Sequence, residues 1–263
     1  ATGRVIGAAA GQGIKKVVTE LGGKSANIIF ADADLERALD AALVAIFSNN
    51  GQQCLAGSRI LLEESIAAEF IDKFVKRVEA LRLGNPYDTN TEIGPLISQG
   101  QLDRVLDYAA LATDSDGVEV LTGGKPAGGF SAGYYIQPTV VHAANNALPI
   151  CQEEIFGPFA TLLTFKDADE AFAIANDSEF GLVGYVWSEN LQTAMRATQA
   201  LRAGTVWVNT PLTREIRAPF GGFKHSGVGR DGGDWSRALF TEEKTITIPA
   251  RKFPIARLGI PGP

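Results

Sequence analysis

The chain has 263 residues, 45% hydrophobic and 21% charged, which is ordinary globular composition with room for a sizeable core. Its net charge of −6 excludes a general nucleic-acid surface, which needs concentrated Lys and Arg, and no apolar run is long enough for a membrane span. Two cysteines, Cys54 and Cys151, are too few for a disulfide framework and point to a reducing, cytoplasmic compartment.

In chain order, the opening ATGRVIGAAAGQG lacks a signal-peptide pattern and does not begin with Met, so the chain reads as a fragment or a processed product. Lys16 to Leu21 and Ser25 to Phe30 read as short strands. From Asp34, a natural N-cap, the positions Leu35, Ala38, Leu39, Ala42 and Ile46 follow helical spacing. A strand over Ser58 to Leu62 precedes helices over Ser65 to Leu83 and Ser98 to Thr113, then a strand over Val118 to Leu121. The Gly- and Pro-rich stretch Thr122 to Pro138 reads as a loop. Strands over Phe159 to Phe165, Leu182 to Trp187 and Thr205 to Val208 alternate with helices over Ala168 to Ala175 and Leu191 to Leu201. Such alternation predicts an α/β fold with a largely parallel sheet flanked by helices. Lys244 to Pro249 alternates like an edge strand open to another chain, and Lys252 to Pro263 has little periodicity.

Cys54 stands in FSNNGQQCLAGSR, among small and polar residues that leave room for a substrate to approach sulfur. A free thiol of pKa about 8.5 supplies only a few per cent of thiolate at neutral pH, so backbone amides or a general base must assist. His142 and His225 lie in no cysteine–histidine motif, which turns attention to a carboxylate. Glu20, in VVTELGGKS, ends a strand and opens into Gly22–Gly23, where it can point into a cleft. Partial burial there would raise its pKa toward the working range. On these residues alone two blander readings stay open: Cys54 as a structural thiol, and Glu20 as a surface-facing strand residue. Lys24 reads as structural and Cys151 as a small buried apolar residue. No His, Cys, Asp or Glu cluster has metal-ligand spacing, so no metal is expected.

VTELGGKSANIIF and FSNNGQQCLAGSR together resemble the glutamate and cysteine signatures of the aldehyde dehydrogenase superfamily, with Cys54 standing 34 residues after Glu20. Further matching motifs follow in order: GNP at Gly84, IGP at Ile93, YYIQPTV at Tyr134, EEIFGP at Glu153, NDSEFGLVGYVWS, GTVWVN, PFGGFKHSGVGRDGG and TEEKTITI. The resemblance covers nearly the whole chain. It implies the catalytic, C-terminal half of an enzyme that oxidises an aldehyde to an acid with NAD or NADP. Cys54 would be the nucleophile that forms a thiohemiacetal and then a thioester, with its own backbone N–H as an oxyanion donor. Glu20 would be the base for thioester hydrolysis. Glu154 would hold the nicotinamide ribose, Phe156 would pack beside the nicotinamide, and Leu21 and Gly22 would approach it by backbone. Phe220 would line the substrate tunnel, and Arg230 with Glu242 would form a bracing pair. In TPLTREIRAPFGG, Arg214 and Arg217 resemble the arrangement in muconic-semialdehyde dehydrogenases, whose substrates carry a carboxylate. Both arginines could equally pair with surface acids such as Glu215 or Asp231.

The implied architecture is the aldehyde dehydrogenase catalytic domain with a C-terminal oligomerisation strand. Residues 1–22 would be a remnant of a cofactor-binding domain, 23–222 the catalytic domain, and 223–263 a return segment and oligomerisation tail. Expected partners are a small aldehyde, the missing N-terminal cofactor-binding half and further copies in a dimer or tetramer, with no nucleic acid and no membrane. Ala26 stands where the family usually has Pro, and a local effect on the turn is expected. With the N-terminal half absent, the coenzyme pocket would be incomplete and the fragment inactive as a dehydrogenase. Two rival readings are a cofactor-independent thiol esterase and a non-catalytic assembly fragment. Binding of NAD(P) separates the first reading from both rivals. Ester turnover lost in Cys54→Ala separates the rivals from each other.

Overall fold

Short strands that are apolar on both faces call for helices on both sides of a sheet, and the computed structural model, which describes residues 1–259, is built that way. The elements are α1 (Thr2–Gln12), β1 (Thr19–Glu20), β2 (Ala26–Ile29), α2 (Leu35–Phe47), a 3-10 turn (Ser48–Gly51), β3 (Arg59–Glu63), α3 (Glu64–Glu79) and α4 (Gln99–Asp114). Then come β4 (Val118–Thr122), β5 (Thr139–Ala143), α5 (Pro149–Gln152), β6 (Phe159–Phe165), α6 (Ala168–Asn176), β7 (Phe180–Gly181) and β8 (Val183–Trp187). The last are α7 (Leu191–Ala200), β9 (Thr205–Val208), β10 (Phe223–Lys224), β11 (Gly227–Val228) and α8 (Gly233–Phe240).

Seven strands form one sheet in the order β4-β5-β6-β3-β2-β8-β9, parallel except for β4, which runs antiparallel to β5. Its two faces divide the core. Ile28, Leu61, Val141 and Val186 pack against α4, α6 and α7 through Val105, Phe172 and Ala197. Their neighbours Ile29, Ile60, Leu62, Val140 and Trp187 pack against α2 and α3 through Leu39, Ile46, Phe70 and Phe74. The helices start where side chains cap them: Asp34, Ser98, Asp167 and Asn190 each accept a backbone N–H from the first turn. A cap of this kind typically contributes about 1 kcal/mol.

Three expectations need correction. The strand expected over Lys16 to Leu21 is reduced to Thr19–Glu20. It leaves the main sheet to pair antiparallel with β11, placing Glu20 opposite Gly227. A strand the motifs concealed, β5, follows directly on Pro138 and pairs with both β4 and β6. The edge strand expected over Lys244–Pro249 is not formed: residues 241–249 are exposed and without regular structure, because no strand among the described residues runs beside them. The final four residues of the tail lie outside the described residues.

Candidate active site

Three motifs far apart in sequence converge beneath Cys54. After α2 the chain turns through Asn49 and Asn50, both left-handed at φ 50 and 58, a conformation that Asn tolerates better than most side chains. Asn50 then staples the turn to the IGP segment, donating to Pro95 O at 3.0 Å and accepting from Gly94 N at 2.7 Å. Gln52 accepts from Ile97 N at 3.1 Å. Gly51, at φ 69, lies so close to the Gly157 carbonyl of EEIFGP that a Cβ would overlap it. The loop is therefore rigidly seated before it reaches Cys54, which is half-buried, whereas Cys151 is fully buried in the core.

Gly22 and Gly23 close the site from the other side. A Cβ on Gly22 would run into the Glu154 carboxylate, and one on Gly23 into the Cys54 carbonyl. The Gly23 N–H donates to Glu154 Oε1 at 3.0 Å. Leu21 packs its side chain toward Gly3 of α1, and its N–H donates to Ser226 O at 3.0 Å.

The charges are set by these contacts. Burial pushes the Cys54 thiol up, and the carboxylates of Glu154 and Glu20 push it further; the backbone N–H groups of Cys54 and Leu55 favour the thiolate instead. Glu154 is itself raised by burial against the Gly23 hydrogen bond and the cations Lys24 and Arg104. Glu20 is raised by burial and by Asp231, with Arg214 and Arg230 pulling it down. A Cβ on Gly221 would stand 3.0 Å from Glu20 Oε1, so the PFGG turn runs directly over this carboxylate.

The opposite wall of Cys54 is aromatic. Cys54, Leu55, Leu212 and Phe220 pack on a cluster that holds Tyr185 and Trp207. Tyr185 donates through its hydroxyl to Leu55 O at 2.7 Å, and the Trp207 indole N–H reaches Thr213 O at 2.6 Å. Both residues lie in strands that sequence patterning reads as plain core, so neither stands out before the fold is known. The Arg214 guanidinium sits 4.1 Å above the Phe220 ring, a cation–π position. Arg217 is elsewhere: it makes a two-pronged pair with Glu215, Nε to Oε1 at 2.9 Å and Nη2 to Oε2 at 2.7 Å, on the exposed surface. The expected pair of Arg230 and Glu242 is not formed. Arg230 donates to the carbonyls of Gly222 and Gly229, while Glu242 pairs with Lys16 at 3.2 Å. The same Lys16 caps the end of α8 through Ala238 O and Thr241 O.

For a nicotinamide coenzyme, the residues present fit one end of the molecule. Glu154 has one oxygen fixed by Gly23 and a second facing the space that Gly22 leaves open, and the Phe156 ring is 38% exposed beside it. Among the described residues no group of three or more His, Cys, Asp or Glu is arranged to hold a metal, and no helix is long and apolar enough to cross a membrane.

A half-buried thiol raised by two carboxylates, beside an aromatic cluster on a largely parallel sheet, marks a cysteine-centred α/β domain. The chain belongs to the aldehyde dehydrogenase family, whose model matches residues 1–246. It is 46% identical over 241 residues to the 5-carboxymethyl-2-hydroxymuconate semialdehyde dehydrogenase of Escherichia coli, covering 90% of this chain and 50% of that protein. The chloroplastic betaine aldehyde dehydrogenase of Atriplex hortensis is 42% identical over 247 residues, 94% of this chain and 49% of the relative. Among solved structures, HpcC from Thermus thermophilus superposes with a TM-score of 0.92 at 43% identity, covering 98% of this chain and 51% of the other. The NAD+ complex of an aldehyde dehydrogenase from Bacillus cereus superposes at 0.90 with 39% identity, covering 95% of this chain and 50% of that one. The chain thus spans about half the length of the relatives it matches.

Proposed function

We propose that this chain carries the thiol and hydrolytic machinery of an NAD(P)-dependent aldehyde dehydrogenase, which converts an aldehyde to a carboxylic acid. The observation that supports this most is the meeting of Cys54, Glu154 and Glu20 around Gly22–Gly23, where the two carboxylates both act on the thiol. The Cys54 sulfur adds to the aldehyde carbon to give a thiohemiacetal, whose developing oxyanion the Cys54 N–H can reach as it opens away from sulfur. One such donor typically contributes about 3–4 kcal/mol in the transition state. Bound coenzyme supplies the hydride acceptor for this oxidation, which leaves a thioester on Cys54. Glu20, its pKa raised, takes the proton from the water that attacks the thioester carbon; the C–S bond then breaks and Cys54 leaves as thiolate.

Glu154, Phe156, Leu21 and Gly22 would hold the nicotinamide and its ribose. The rest of the dinucleotide needs the half of the relatives' length that this chain does not span. Alone, the chain is therefore expected to bind NAD(P) poorly. The aldehyde would enter past Phe220, whose ring packs on the buried Tyr185–Trp207 cluster, and Arg214 over that ring favours a semialdehyde bearing a carboxylate, the type named for the Escherichia coli relative. The exposed tail, with Ile246 and Ile248 facing solvent, would pair with a further copy of the chain.

Burst kinetics on the full-length polypeptide test the reading. Cys54→Ala should abolish NAD(P)H formation, while Glu20→Gln should give one fast turnover and then stall. Steady turnover by either variant would overturn it.

A further inference from the structure

Helix α4 carries Gln101, Arg104 and Tyr108 at a spacing of three and then four residues, which stacks them on one face. All three are aimed at one short segment. The Tyr108 hydroxyl donates to Glu153 Oε2 at 2.5 Å. Arg104 donates through Nη2 to Glu154 O at 2.5 Å and through Nε to Ile155 O at 3.3 Å. Gln101 donates through Nε2 to Ile155 O at 3.0 Å and to Phe156 O at 2.7 Å. The Glu153 carboxylate and the three carbonyls that follow it are thus gripped from a single helix. Arg104 is itself braced, its guanidinium 5.2 Å from the centre of the Tyr108 ring with Nη2 3.4 Å from the hydroxyl.

The gripped segment has an unusual backbone. Phe156 stands at φ 62, in the left-handed region that a bulky aromatic residue adopts only when its surroundings impose it. On the far side of the same segment the Glu154 carboxylate meets Gly23. The carbonyls of the segment thus face α4, while the Glu154 carboxylate meets Gly22 and Gly23 beside the thiol loop.

We infer that Arg104 is a positioning residue. Together with Gln101 it holds the Glu154–Phe156 backbone from behind, fixing the left-handed Phe156 and the direction of the Glu154 carboxylate. A planar guanidinium suits this task because it offers two divergent N–H donors to successive carbonyls, where an ammonium offers a single compact charge. The role in coenzyme binding rests on the reading that Glu154 and Phe156 hold the nicotinamide end.

Hydrogen–deuterium exchange and NAD+ titration of the full-length polypeptide test the clamp through two separate readouts. Arg104→Ala should raise deuterium uptake over residues 153–158 by about tenfold, with β2 and β3 unchanged. It should also weaken NAD+ binding by about tenfold, and Arg104→Lys should recover part of both losses. Near- and far-UV circular dichroism should keep the wild-type spectra, which separates a displaced clamp from a collapsed fold. If Arg104→Ala fails to fold, Gln101→Leu removes the donors to Ile155 and Phe156 and should raise uptake over the same peptide. Unchanged uptake in the folded variants overturns the clamp. A wild-type polypeptide that binds no NAD+ instead overturns the coenzyme reading, and the exchange data then decide the clamp alone.

Discussion

The Gly23 N–H donates to Glu154 Oε1 at 3.0 Å while the other side of the same glycine lies against the Cys54 carbonyl, so one residue sets the separation between the thiol loop and the carboxylate. A side chain there has no room. Gly23→Ala is expected to destabilise the fold by about 1–3 kcal/mol, the usual range for overpacking a filled interior. Because the clash is with backbone, the Cys54 loop must shift. Urea denaturation should show a lower midpoint at unchanged m-value, and Cys54 alkylation should change rate; wild-type values for both would mean the loop yields freely.

The neighbouring carboxylate also governs thiol reactivity. Cys54 is raised by burial and then by Glu154 and Glu20, so removing either charge should lower its pKa. In Glu154→Gln the pH midpoint for iodoacetamide alkylation should move down. Cys151, fully buried and pushed up to about 11, should react far more slowly than Cys54 in peptide maps after brief labelling. Faster labelling of Cys151, or an upward shift in Glu154→Gln, would contradict this account.

As the proposed base, Glu20 would act only when ionised, so hydrolysis should fail as pH drops through its pKa. Asp231 raises that pKa and Arg214 lowers it. Asp231→Asn should therefore move the acid limb of thioester hydrolysis to lower pH, and Arg214→Ala should move it to higher pH. Pre-steady-state deacylation rates across pH measure both shifts. Shifts in the same direction would rule out this charge arrangement.

How much of this is legible in the sequence follows from where each signal lies. The apolar runs at Phe159, Leu182 and Thr205 declare parallel strands, and Asp34 with its helical spacing declares α2, because both patterns are local. The pairing of Thr19 with Val228 is not local, and a proline ahead of Thr139 hides β5. At the site, Cys54 and Glu20 stand out through their glycine-rich motifs. Gln101 and Arg104 do not, since polar residues on a helix read as a solvated face until the structure brings Glu154–Phe156 against them. The tail alternates like a strand but finds no partner among the described residues, and periodicity alone cannot supply one.

Lys24 reads as structural from its motif, and its burial makes that role measurable. It is 2% exposed, and its Nζ has no hydrogen-bond partner among the described residues. Burial lowers its pKa from 10.5 to about 7, with Cys151 opposing and Arg59 adding to the fall. Between these values the unfolded chain binds the proton and the folded chain does not, so stability rises with pH across that window. The cost of burying the amine grows as pH falls from 10.5 and is fully present below about 7. Between about pH 7 and 8 the Cys151 thiol stays largely protonated in both states and does not interfere. Lys24→Met should flatten the rise in urea midpoint there and leave stability near pH 7 equal or higher, since an apolar side chain avoids the desolvation of a buried charge. An unchanged slope would show that another group carries it.

Arg214 and Arg217 stand three residues apart in the sequence, yet their surroundings differ. Arg217 already has both prongs on the Glu215 carboxylate, which holds Glu215 down to about 2, so it has little to offer a second anion. Arg214 rests on the Phe220 ring, within electrostatic reach of Glu20 and Asp231, and is the arginine proposed to meet a substrate carboxylate. A partly shielded, charge-assisted pair contributes about 1.5–3 kcal/mol, equivalent to roughly a ten- to a hundred-fold change in affinity. In the full-length polypeptide, Arg214→Ala should therefore raise KM for a carboxylate-bearing semialdehyde by about that factor. An uncharged aliphatic aldehyde should keep its KM, and Arg217→Ala should leave both substrates nearly unaffected. Steady-state kinetics with the two aldehydes decide the matter. Equal losses for both substrates in Arg214→Ala would assign the residue to the packing of Phe220, and a selective loss in Arg217→Ala would mean that Glu215 releases its partner when substrate arrives.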